Sequence, residues 1–523
     1  MKKTAFLLSM ISILINSLSV SAATRYYRLS YRDDPSTTIV IGWDQNGGSN
    51  PMVYYDIIDH GTDFSAYAFN HGVDRTINTQ GMNNNYSRIS GLTPNTVYYF
   101  IIKDSDGTSA RMSFKTIPDD PNIPISFLSG GDSRTGVPII EPGSWRPVRQ
   151  KANTMVGKLL PGFIAFSGDM ILESSVGGST LWPEWFTDWQ LTISSVEGRM
   201  TPITVVYGNH EMNTDLNNLF DIPTTENYYA LNFGGNLLRL YSLNSTDDVC
   251  TSTTQLNWFT DDLQTHTGTS AEPYWKAVQY HIPMVPHGEY SDRSDMINCW
   301  ANLFQPNKVR LAMEGHTHVV KTTWPIVPSF DVGSEKGFIR DDANGTVFVG
   351  EGTWGAPLRD LYAPNIWTRD QAKINAFMLV CVSKEKMNIY TIQYENVASV
   401  GQIQPSDTCC TLPTGISLWS PANGSVVTLT NNTTHIESID HAIKYTKVYP
   451  NPAKTEINIS FNADLEASNV EILSSRGIPV KQYNIVAKKD KAITLNISDI
   501  AKGVYFVYIR SGKHVESHKI IID

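Results

Sequence analysis

Five short apolar segments of this 523-residue chain each run directly into a residue able to hold a cation. ISFLSGGD ends on Asp132, FIAFSGD on Asp169 and ITVVYGN on Asn209. AVQYH ends on His281, and VRLAMEGH on His316, with His318 two positions later. Short apolar runs rich in Val, Ile and Phe read as strands buried on both faces. Between them, residues 146–160 and 254–263 carry apolar residues at helical spacing. Buried strands alternating with helices predict an α/β domain over residues 119–400. In such sheets ligands bind beyond the carboxyl ends of the strands, so the five termini are expected on one rim.

Each fragment alone carries little. Gly-Asp is usually a turn, and a histidine after a strand is usually a surface or core residue. Five such endings in one chain order are hard to assign to chance. The succession Gly-Asp, Gly-Asp, Gly-Asn-His-Glu, Val-x-x-His and Gly-His-Thr-His resembles the calcineurin-like metallophosphoesterases, and most closely their purple acid phosphatase branch. TTQLNWFTDDL, before the fourth segment, is similar to that branch too. The resemblance implies a four-layer αββα sandwich and hydrolysis of phosphate monoesters by a hydroxide held on two metal ions. It implies that Asp169 bridges the ions, that Asp132 and His318 complete the first site, and that Asn209, His281 and His316 form the second. His210 would be the general acid. Imidazole, carboxylate and amide oxygen donors suit Fe, Zn or Mn.

Two positions depart from that pattern. Purple acid phosphatases carry a tyrosine three residues after the bridging aspartate, where this chain has Leu172. The wider superfamily uses a histidine two residues after the first aspartate, where this chain has Arg134. The first site then has three evident protein ligands, and no tyrosinate to give a charge-transfer colour. Arg134 is a candidate for substrate binding, since guanidinium pairs well with phosphate oxygens, against a surface ion pair as the plain reading. His287, six residues after His281, is a looser candidate for the same role. LWPEWFTDW at 181–189 reads as a substrate wall or, more often for such aromatics, core packing; GEGTWGAPLR at 350–359 reads as pocket-shaping.

The rest of the chain divides into modules. Residues 1–22 have two lysines, an apolar run interrupted by Ser and Asn, and Val-Ser-Ala, the pattern of a cleaved secretory signal. Residues 23–118 alternate apolar and polar positions between frequent turns, as in a β-sandwich. Trp43 and Leu92–Tyr99 there resemble a fibronectin type III-like domain. Residues 401–445, rich in Ser, Thr, Asn, Pro and Gly, read as a linker. Residues 446–523 return to short strands, and their VYPNP and GVYFVYIRSGK resemble the C-terminal sorting domain of the type IX secretion system. A carbohydrate-binding or adhesive β-sandwich is the plain alternative. The expected whole is multidomain: an N-terminal β-sandwich, a central α/β domain and a small C-terminal β-sandwich.

The expected partners are a small phosphorylated substrate and the type IX secretion machinery. The expected location is secreted or attached to the cell surface. A formal charge of −10 argues against general nucleic-acid binding, and no segment after residue 22 is apolar enough to span a bilayer. With five cysteines at least one is unpaired within the chain. Cys250, Cys299 and Cys381 read as thiols or one bridge, and adjacent Cys409 and Cys410 do not readily bond each other. Two other functions stay open: a phosphodiesterase or nucleotidase on the same site, and a catalytically weak metal-binding adhesion module.

Overall fold

The computed structural model describes residues 21–135, 145–173, 177–193, 197–211, 215–404, 406–431, 446–462, 465–474, 479–489, 491–511 and 514–523. Most of the expected signal peptide, residues 1–20, lies outside these, as do residues 432–445 of the expected linker. The chain divides into two units, Met1–Thr433 and Thr434–Asp523.

The first unit is built on two large sheets. In one, the strands Ile125–Gly130, Phe163–Phe166 and Ile203–Val205 run parallel. Ala376–Val382 and Lys386–Gln393 extend it antiparallel on one side. The other has Leu238–Ser242, Trp275–Gln279 and Val309–Glu314 parallel at its centre. The expected apolar runs are therefore strands, and in Trp275–Gln279 every residue is buried. The sheets pack face to face; Phe163 of one stacks on Phe233 of the other with ring centroids 3.9 Å apart. The helices Arg146–Leu159 and Gly178–Trp189 share that core. On the far face of the second sheet, Tyr241, Val278, Tyr280 and Ala312 form a separate core with Phe259 and Leu263 of the helix Thr253–Thr265. Helix, sheet, sheet, helix is the layering expected of the central domain.

The N-terminal residues form a sandwich of strands 24–30, 39–45, 82–89 and 75–79 against strands 69–71, 52–56, 97–103 and 112–115. Trp43 is fully buried in it, and the Thr93 N–H donates to the Tyr98 hydroxyl at 2.9 Å. This sandwich is not a bead on a string. Its strand Thr24–Ser30 pairs parallel with Ile203–Val205 through Ser30 and Ile203, so sandwich and α/β domain share one eleven-stranded sheet.

Residues 401–431, read as linker, are part of the first unit instead. Val426–Thr430 pairs antiparallel with Lys386–Gln393 over five residue pairs, and Ser417–Leu418 pairs with the same strand. A disulfide joins Cys410 to Cys381 in the neighbouring strand, and a second joins Cys250 to Cys299. Cys409 is the free cysteine. Polar composition misled here because Thr and Ser on an edge strand read like linker residues. The second unit is a small β-structure by itself, with one sheet of strands 446–449, 456–461 and 492–496 and another of strands 479–487, 465–474, 503–511 and 514–522. Ile457, Ile459, Val470, Ile472, Val507, Ile509 and Ile520 fill its core.

Candidate metal centre

The loops leaving the five strands are tied to each other before any side chain reaches the rim. The Asp132 N–H donates to the Gly168 carbonyl at 2.9 Å, and the Ser133 N–H to the Asp169 carbonyl at 2.9 Å. The Gly315 N–H donates to the His281 carbonyl at 2.8 Å. Glu211, fully within the protein, clamps two of the loops: its carboxylate accepts from the N–H groups of Gly208 (2.8 Å), Asp169 (3.0 Å) and Met170 (2.6 Å). Asp132, Asp169, His316 and His318 all have left-handed backbone, with φ of 60°, 53°, 78° and 60°. Non-glycine residues rarely sit there, and such strain concentrates at functional sites.

The side chains gather in two groups that share one carboxylate. Asp169, His281 and His316 offer ligand atoms within 4.8 Å of one another, as do Asp132, Asp169 and His318. His281 Nε2 lies 3.3 Å from Asp169 Oδ1, 3.0 Å from Asn209 Oδ1 and 3.2 Å from His316 Nδ1. His318 Nε2 lies 3.2 Å from Asp132 Oδ1. The other ring nitrogens are committed: Nδ1–H of His281 donates to the Ser167 carbonyl at 2.8 Å, and that of His318 to the Pro357 carbonyl at 2.7 Å. Such bonds fix the tautomer and leave Nε2 facing the carboxylates, the arrangement that a ligating histidine requires.

The donor set fits a cation on two further counts. Asp132 Oδ1 is buried with no hydrogen-bond partner, an expensive condition for a carboxylate oxygen unless positive charge faces it. The carboxylates also draw a proton onto His281. Burial opposes its charge, yet Asp169 and Asp132 outweigh burial and raise it to about 9. Burial and the nearby His281 charge push His316 down to about 3. Asp169 is held well below the usual carboxylate range, its neighbouring histidines overcoming the cost of burial. Burial, then the Asp169 charge, raises Glu211.

Arg134 and His210 stand on the Asp169 Oδ2 side. Arg134 is buried, with Nε 4.0 Å from that oxygen, and His210 Nε2 is 3.7 Å from it with the side chain 23 % exposed. The His210 N–H donates to Asp169 Oδ1 at 3.2 Å. Burial lowers His210 below the ordinary imidazole value, opposed by Asp169. Leu172 is buried. His287 is elsewhere. It is fully buried, with Nδ1 3.2 Å from Glu351 Oε1 and Nε2 2.7 Å from Thr368 Oγ1, so both ring nitrogens face protein and not substrate. Glu351 also pairs with Lys321 at 2.6 Å, inside the fold.

The aromatic stretch 181–189 is core, not a wall. Trp182, Trp185 and Trp189 are buried, and Trp185 Nε1–H supports the Asp132 loop by donating to Ser133 Oγ at 2.9 Å. Residues 351–359 meet the Asp132 and His318 loops through their backbone. The Ala356 N–H donates to the Asp132 carbonyl (2.8 Å) and the His318 N–H to the Glu351 carbonyl (2.7 Å). A Cβ on Gly352 would fall 1.7 Å from Asp132 Oδ2. Those roles are played by backbone and by a missing side chain, which residue types at strand ends do not announce.

Comparison with known proteins finds a family likeness for each module. Residues 141–320 match the family model described as calcineurin-like phosphoesterase, and residues 25–116 match the purple acid phosphatase N-terminal domain. Residues 447–523 match the secretion system C-terminal sorting domain. Among solved structures, a purple acid phosphatase from yellow lupin (Lupinus luteus) seeds is 16 % identical with a TM-score of 0.58, covering 73 % of each chain. The structure of PhoD is 12 % identical with a TM-score of 0.53, covering 79 % of this chain and 91 % of that one. At these identities the likeness establishes the fold. No curated protein sequence matches.

Proposed function

We propose that this chain, a purple acid phosphatase-like metallophosphoesterase with a secretion-sorting tail, is an exported phosphomonoesterase working at a dinuclear metal centre. The observation that carries the reading is the pair of ligand groups meeting at Asp169. Asp132, Asp169 and His318 would hold one cation, and Asp169, Asn209, His281 and His316 the other. Bound there, Fe, Zn or Mn would supply the Lewis acidity that activates water near neutral pH and neutralises charge on phosphoryl oxygens.

The chain's own groups supply the rest. Asp169, shared by the two groups, would offset the repulsion between two bound cations. Arg134, near its Oδ2, presents a planar guanidinium to phosphoryl oxygens as charge spreads in the transition state. His210 would give the Nε2 proton to the departing alkoxide; its backbone bond to Asp169 keeps the ring at the rim, partly open to solvent. The sorting domain at 447–523 would carry the protein through the type IX machinery to the cell surface or beyond. No helix among the described residues is long and apolar enough to cross a membrane.

The test is turnover of p-nitrophenyl phosphate with added Mn, Zn or Fe, against D169N. Metal-dependent turnover lost in D169N is expected. Faster turnover of a diester would make the enzyme a phosphodiesterase or nucleotidase. Absence of metal-dependent turnover would leave a metal-binding surface module, which the buried Leu172 in place of a tyrosine ligand favours.

A further inference from the structure

Arg359 stands beside the metal centre and has no part in the chemistry above. Its backbone N–H donates to the His318 carbonyl at 3.3 Å, which anchors it to the last ligand pair. Its guanidinium donates through Nη1 to the Tyr290 hydroxyl and to the Glu289 carboxylate, and its Cζ lies 5.0 Å from the Tyr290 ring centroid. Tyr290 in turn lies against the ligand His316, with ring centroids 4.0 Å apart and planes at 33°. Arg359 is thus tied to both ligand groups, once through His318 and once through His316.

The partner of Arg359 is the informative part. Glu289 is 60 % exposed while Arg359 is 21 % exposed. An ion pair with one partner so far in solvent is weak and easily exchanged. A phosphate dianion offers the same guanidinium more charge and more acceptor oxygens.

We propose that Arg359 is a second phosphate-binding arginine beside Arg134, and that Glu289 occupies it until substrate displaces the carboxylate. The proposal rests on the phosphoesterase reading and narrows it. Two guanidiniums besides the cations favour the dianion of a phosphomonoester over the monoanion of a diester. Tyr290 is a positioning residue here: its hydroxyl holds the guanidinium while its ring rests on His316.

The experiment is calorimetric titration of inorganic phosphate into full-length, Mn-loaded protein, with Mn binding and the KM and kcat for p-nitrophenyl phosphate measured alongside. R359Q should weaken phosphate about tenfold, the loss expected of one charge-assisted contact. E289Q should do the opposite and tighten phosphate roughly threefold, with KM falling and kcat little changed. Y290F should weaken phosphate less than R359Q does. Mn affinity should be the same in all three. Phosphate affinity unchanged in R359Q and E289Q, in a protein that still turns over monoesters, would overturn the Arg359 role and leave the phosphatase reading standing. Opposite shifts for the two variants in a protein without turnover would uphold the anion site and remove the phosphatase reading. Loss of Mn binding in R359Q, with no effect of E289Q, would make Arg359 structural and overturn the proposal.

Discussion

Replacing Gly352 by alanine should disable the Asp132 side of the centre. Gly352 has φ +77°, and an added Cβ would lie 1.7 Å from Asp132 Oδ2 and 2.3 Å from its Cγ. To restore ordinary contact the carboxylate must retreat by more than about 1 Å in a tightly packed interior. That movement breaks the bond from the His316 N–H to Asp132 Oδ2, now 2.9 Å, and carries Oδ1 away from His318 Nε2, now 3.2 Å. A Cβ in left-handed backbone costs about 1–2 kcal/mol. The lost bond to a buried carboxylate adds about 1.5–3 kcal/mol. The metal-free first unit should therefore lose about 2.5–5 kcal/mol, and cation affinity at Asp132 and His318 should fall roughly 10- to 100-fold. G61A is the control. Gly61 has φ +60° but nothing within 4 Å of an added Cβ, so it bears only the backbone cost of about 1–2 kcal/mol. Denaturant unfolding of both variants, with calorimetric Mn titration, separates the terms. A G352A protein that matches G61A in stability and takes up both cations with unchanged affinity would refute the packing argument.

Two further outcomes follow from the site. His281, raised to about 9, carries a proton on Nε2 below that pH and must lose it to ligate, because Nδ1–H is committed to the Ser167 carbonyl. Cation affinity should thus rise about tenfold per pH unit between about pH 6 and 8 with release of a proton, as chelator competition at several pH values would show; flat affinity would contradict the tautomer assignment. For H210A, kcat should drop roughly 10²–10⁴-fold on an alkyl phosphate, whose leaving group needs a proton, and far less on p-nitrophenyl phosphate. An equal drop on both substrates would exclude His210 as the general acid.

The gathering of the candidate ligand residues at one rim is legible because the information is local. An apolar run and a carboxylate, amide or imidazole lie within eight residues, with a glycine between them in four of the five segments, and sheet topology delivers the ends to one rim. Where the information is not local, the sequence was silent or misleading. Glu211 appears in Gly-Asn-His-Glu, but its clamp on Asp169 and Met170 comes from another strand's loop. His287 has the spacing of a rim residue, yet Glu351 and Thr368, sixty or more positions away, hold it inside. Residues 401–431 lack apolar density because their order comes from pairing with residues 386–393 and from the bridge to Cys381. Arg359 closes the segment 350–359 read as pocket-shaping, and only the placement of Tyr290 and His318 beside it gives that one side chain a distinct place.

The parallel pairing of Ser30 with Ile203 bears on how such a protein can be dissected or recombined. Cutting the chain near residue 119 would strip Ile203–Val205 of one of its two neighbours, leaving it paired with Phe163–Phe166 and opening a sheet edge on its other side. The excised half would tend to aggregate before it could be assayed. Fusion or shuffling at that junction therefore has to keep Thr24–Ser30 with the hydrolase half, since heredity has stitched the two together along a single β-seam.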